Sequence, residues 1–183
     1  MTSRLLTLAA VCAMLVSSAC GGSGGGSSQS ATETWADGVC SSLNTWKSSV
    51  TAAGNSITDG SGVDEDQVRT AVDQVKGATT KLSSDLKSLG KPDTEAGQQA
   101  QDALTKLSGQ LDEDVQQISQ AVEGASGPTA AIGIATSVGA SLTQAQTQVS
   151  AAFSTIEDAD AKGELRDAFQ SSDACKQFSG SGS

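Results

Sequence analysis

The chain has 183 residues, with 11 basic against 21 acidic side chains, a formal charge of −10, and neither histidine nor tyrosine. An acidic chain argues against nucleic acid as a partner, because phosphate recognition needs a basic face. Without histidine the commonest general base and zinc ligand is missing, so the chain is expected to be no enzyme and to hold no cofactor and no metal.

Residues 1–20, MTSRLLTLAAVCAMLVSSAC, carry one positive charge at Arg4, an apolar run from Leu5 to Val16, and small residues before Cys20. This is the layout of a secretory signal peptide. The run, which includes Cys12, is shorter than the roughly 20 apolar residues of a permanent membrane span. Ser17-Ser18-Ala19-Cys20 resembles a bacterial lipobox, whose cysteine receives a diacylglycerol thioether before the signal is cleaved. The resemblance implies a signal peptide over 1–19, lipidation of Cys20, and anchoring on the extracytoplasmic face of the cell membrane. Position three before the cysteine, commonly Leu in lipoboxes, is Ser17 here. The alternative is an ordinary signal-peptidase cut after Ala19, leaving Cys20 as a plain thiol on a freely secreted protein. Residues 20–31 then form the modified cysteine and a linker, because GGSGGGSSQS has no side chains able to build a core. Ten such residues reach roughly 18 Å.

A helical domain is expected over 32–178. Trp35, Val39, Leu43, Trp46, Val50 and Ile57 recur at helical spacing, which predicts a first helix over about 32–57 capped by Thr32 or Thr34. Gly54, Gly60 and Gly62 end it, and the acidic Asp64-Glu65-Asp66 suits the start of a second helix. That helix runs to Leu89 through Val68, Val72, Val75, Thr79, Leu82, Leu86 and Leu89, a heptad seam. Gly90-Lys91-Pro92-Asp93 is a short turn. The third helix, about 94–123, shows Ala100, Leu104, Leu107, Leu111, Val115, Ile118 and Val122, and Gly124 to Pro128 repeat the stop and restart. The fourth runs to about Ile156 with Ala135, Val138, Leu142, Ala145, Val149, Ala152 and Ile156 in its seam. A short helix around Leu165–Phe169 and a disordered tail over 179–183 complete the chain. The expected fold is all-α, an up-down-up-down four-helix bundle with a short C-terminal helix.

In such a bundle the end of helix four lies beside the start of helix one, so a tail after helix four can bring Cys175 to Cys40. Two cysteines of an exported domain usually pair, and Cys40–Cys175 is the expected disulfide; the alternative is two separate thiols. Trp35-Ala-Asp-Gly-Val-Cys40 and Asp173-Ala-Cys175, taken with the lipobox-like start, resemble a group of small uncharacterised actinobacterial lipoproteins. That resemblance covers the signal, the first helix and the tail, and it brings no activity with it.

Asp158-Ala-Asp160-Ala-Lys162-Gly163-Glu164 imitates the first half of an EF-hand loop, but Lys162 stands at position five and Phe169 where the bidentate glutamate belongs. It is better taken as a capping linker. Asp64-Glu65-Asp66 and Asp112-Glu113-Asp114 suit solvated faces. Trp35 and Trp46 fall on the apolar stripe and suit the core rather than a sugar platform.

Between Gly124 and Ile156 there is no charged residue. The outward positions of helix four, Thr136, Ser137, Ala140, Thr143, Gln144, Thr147, Ser150, Ala151 and Ser154, are all small or neutral, where a solvated helix normally carries charge. Thr136, Ser137, Ala140, Thr143, Gln144 and Thr147 are therefore the candidate partner-binding residues, for a protein or envelope partner or for a second copy. The expected function is that of a membrane-tethered extracytoplasmic interaction module. The alternative is a carrier of a small apolar ligand between the helices.

Overall fold

A computed structural model describes residues 30–58, 65–124 and 127–180. The signal, Cys20 and the linker up to Gln29 lie outside the described residues, as do Asp64 and residues 181–183. The described residues form an all-α helical bundle: α1 (Ala31–Thr58), α2 (Glu65–Leu89), α3 (Gly97–Glu123), α4 (Pro128–Ala159), α5 (Glu164–Ser171) and α6 (Asp173–Gly180).

Each long helix forms because its apolar residues fall on one side and find the next helix. Trp35, Val39, Leu43, Trp46, Val50 and Ile57 of α1 are all buried, as are Ala100, Leu104, Leu107, Leu111, Val115, Ile118 and Val122 of α3. On α2 the seam from Val68 to Leu86 is buried, with Ala71 and Ser83 widening it and Leu89 half-buried at its end. On α4 the buried positions include Ile134, Val138, Ala145, Val149, Ala152 and Ile156. The side chains of Ala135 and Leu142 lie outside the described set.

Long-range hydrogen bonds give the helix directions. The Trp35 indole N–H donates to Gly90 O at 3.0 Å and that of Trp46 to Thr79 Oγ1 at 3.1 Å, so the start of α1 meets the end of α2 and the two run antiparallel. Gly38 permits the close approach at that end, since a Cβ there would lie 2.6 Å from Leu89 Cδ2. Asp114 of α3 accepts from Gln144 and Gln148 of α4 at 3.1 and 2.9 Å, and Glu65 Oε2 reaches Gly127 N at 3.5 Å. α4 lies along α3 and meets α1 and α2 only sparingly. Against α1 stand α5 and α6 instead.

The helix ends differ from the sequence-based expectation in four places. Ser30, not Thr32 or Thr34, caps α1: its Oγ accepts from Glu33 N at 3.1 Å while Glu33 Oε2 accepts from Ser30 N at 2.6 Å, a reciprocal capping box. α3 begins at Gly97 rather than 94, after a turn in which Gly97 N donates to Thr94 O; a Cβ on Gly97 would collide with Pro92 O. The single short C-terminal helix is two. Ser172, extended at φ −65° and ψ 126°, separates α5 from α6, and its Oγ accepts from Cys175 N at 3.2 Å to start the second. Finally Ser179 and Gly180, expected in the tail, close α6.

The Cys40–Cys175 disulfide joins α1 to α6, with S–S 2.03 Å and Cα–Cα 4.9 Å across 135 residues. Around it Asn44 Nδ2 donates to Ala174 O at 2.7 Å and Ser172 Oγ to Asp37 Oδ1 at 2.8 Å. Among the described residues no helix is long and apolar enough to cross a membrane. The disulfide is consistent with an extracytoplasmic location.

Candidate functional site

Two surfaces of α4 merit consideration, and they flank the stripe that buries it. The first is the outward face. Thr136, Ser137, Ala140, Thr143, Gln144 and Thr147 are all exposed. The hydroxyls there turn back on their own helix: Ser137 donates to Gly133 O, Thr143 to Gly139 O and Thr147 to Thr143 O, at 3.0, 3.3 and 3.1 Å. Such back-bonding occupies the one donor of each of these three hydroxyls. Gln144 differs from the rest, because its amide donates to Asp114 and thereby holds α4 on α3.

The second surface is a lateral cleft of about 850 Å³ between the C-terminal half of α4 and the α1–α5–α6 side. It exists because α5 and α6, rather than α4, lie against the start of α1. The Cys40–Cys175 disulfide, Val149, Phe153 and Phe169 supply its apolar lining. Phe153 meets Phe169 edge to face at 5.0 Å between centroids, and Phe169 meets Trp35 at 5.8 Å, so the aromatic wall runs into the core. Ser150 and Ser154, two outward positions of α4, border this cleft. Its charged residues are Arg166 and Lys176 against Glu157.

Asp160 positions the α5 wall. Its buried carboxylate accepts from Leu165 N at 2.9 Å and Arg166 N at 3.0 Å, capping α5 across the left-handed Gly163 at φ 76°. The segment that imitates a calcium loop thus caps a helix, and Lys162 within it pairs with Glu95 at 3.0 Å, tying the α4–α5 turn to the α2–α3 turn. That contact raises the Lys162 pKa. Among the described residues no three potential metal ligands come together.

The acidic clusters divide their labour. Hydrogen bonding from Arg69, then from Gly127 N, lowers the Glu65 pKa. The Ser30 backbone N–H lowers that of Glu33, to which Ser171 Oγ also donates at 3.3 Å. Asp114 takes the two α4 amides. None of these interhelical acceptors announces itself in the sequence, because each depends on register between residues 30 to 138 positions apart.

Grooves of about 390 Å³ between α2 and α3 and about 370 Å³ between α3 and α4 are lined mainly by polar side chains. The apolar spaces among the long helices are small, about 20 Å³ beside Trp46, Thr79, Leu111 and Val138 and about 10 Å³ beside Ala53, Ile57 and Ala71. Each of these two holds a water at most. No protein family, curated protein or solved structure matches this chain.

Proposed function

We propose that the chain is a membrane-tethered, extracytoplasmic interaction module whose long helices form an up-down-up-down four-helix bundle and whose α4 docks a protein or envelope partner, or a second copy. It belongs on this reading with the actinobacterial lipoproteins that share its lipobox-like start. It acts by binding and not by catalysis, and needs no nucleic acid, cofactor or metal. One observation carries the docking face: Thr136, Ser137, Ala140, Thr143, Gln144 and Thr147 are exposed and uncharged, and the Ser137, Thr143 and Thr147 hydroxyls are satisfied by their own helix. Covering such a face desolvates no ion, which is the term that makes charged surfaces expensive to bury. The alternative reading, a carrier of a small apolar ligand in the core between the long helices, meets apolar spaces of about 20 and 10 Å³ there, far below the 300–1,000 Å³ of ordinary ligand sites, and the larger grooves along those helices, about 390 and 370 Å³, are lined mainly by polar side chains.

The test is a triple variant, Thr136→Lys, Thr143→Lys and Thr147→Lys, in the full chain carrying a photo-crosslinker at Ser137. Wild type should give a discrete adduct on intact cells or with itself, and the variant should lose it while keeping its helicity and melting temperature. An undiminished adduct from the folded variant would overturn the assignment of this face.

A further inference from the structure

The lateral cleft is separate from the α4 docking face and does not depend on it. Its lining is apolar where it is deepest and cationic at its rim, on a chain of formal charge −10. Of the two arginines among the described residues, Arg69 pairs with Glu65 at 2.7 Å while Arg166 forms no ion pair among those residues. Lys176 is engaged already, by Asp173 at 3.0 Å and by Ser171 O at 3.1 Å. Arg166 is therefore the group left to receive a ligand charge, and its planar fork matches a carboxylate in two parallel hydrogen bonds. Glu157 on the same rim disfavours a polyanion and restricts the partner to a single negative group.

Scale decides between a small molecule and a protein. The cleft of about 850 Å³ falls within the range of small-molecule sites. Its α4 wall, from Val149 to Glu157, is about 12 Å long at helical rise, whereas a stable protein interface needs about 800 Å² from each partner. Half-buried Phe153, held edge-on by Phe169, offers the apolar contact.

We propose that this cleft binds an amphiphilic monocarboxylate, its apolar body against Phe153, Phe169, Val149 and the disulfide and its carboxylate on Arg166. The probe is decanoate, compared with decanol and decyltrimethylammonium, titrated into the oxidised mature protein by calorimetry and by Trp35 fluorescence, since Trp35 touches Phe169. Decanoate should bind saturably at one site and more tightly than either analogue. Arg166→Gln should weaken decanoate about tenfold, the loss of one charge-assisted interaction, and leave decanol unchanged. Ser154→Trp, at an exposed position bordering the cleft, should abolish both without altering melting. Absence of saturable decanoate binding, equal affinity in Arg166→Gln, a preference for the cation, or binding undiminished by Ser154→Trp would each overturn the proposal. So would displacement of decanoate by an acidic amphipathic peptide that binds more tightly, which would make the cleft a peptide site.

Discussion

Thr79 occupies a seam position of α2 where valine or leucine would bury more apolar surface, and its hydroxyl oxygen explains the choice. It accepts the buried indole N–H of Trp46 from the facing helix. A buried donor without a partner costs about 1–3 kcal/mol. Thr79→Val keeps the shape and removes the acceptor, so it should lower unfolding free energy by about that amount, read from the denaturant midpoint at unchanged slope. Thr79→Ser keeps the oxygen and deletes one methyl, at a cost near 1 kcal/mol. A valine variant as stable as wild type would show that the indole is satisfied some other way. That both tryptophans belong to the core was legible from their place on the apolar stripe. Which groups receive their N–H was not, because Thr79 and Gly90 O lie 33 and 55 residues away and only the helix register brings them into reach.

At the scale of elements, the seams of α1, α2 and α3 were readable since sustained heptads leave one way to bury them, and the cysteine pairing followed from the order of the helices. The C-terminal region was not readable in the same way. α5 and α6 have 8 residues each, too few for a periodic signal, and their boundary at Ser172 is set by contacts to Asp37 of α1. The sequence therefore suggests one short helix and no cleft, whereas two short helices laid on α1 hold α4 away and open one. The disulfide fixes that arrangement. Closing a loop of 135 residues stabilises the fold by about 5 kcal/mol in the chain-entropy description. Native protein should resist thiol alkylation at Cys40 and Cys175 until reduced. Reduction should lower the melting temperature and speed amide exchange in α6 first, because α6 is short and contacts chiefly α1 and α5. Ready alkylation of both thiols in unreduced protein would contradict the bond.

The whole molecule has two distinct ends. At one, the capped start of α1 at Ser30 meets the α2–α3 turn through Trp35 and Gly90, and that turn meets the α4–α5 turn through Glu95 and Lys162. At the other, Glu65 reaches the start of α4 through Gly127. The disulfide and the cleft lie toward the first end, and Thr136 lies toward the second. A tether on Cys20 would join the first end through ten intervening residues, which span at most about 40 Å, less than the length of α1 itself, about 42 Å for 28 residues. The cleft would then face the lipid surface at short range, and the uncharged α4 face would extend outward to where a partner can approach. On the proposed lipidation, Cys20→Ser would remove the thioether and leave the disulfide intact, since that bond uses Cys40 and Cys175. The variant should therefore leave the membrane fraction for the medium, lose incorporated fatty acid, and keep the wild-type melting temperature and its decanoate binding. Wild-type protein that is free in the medium and carries no labelled fatty acid would instead assign the signal to ordinary signal-peptidase cleavage after Ala19, and the two ends of the bundle would have no fixed relation to a membrane.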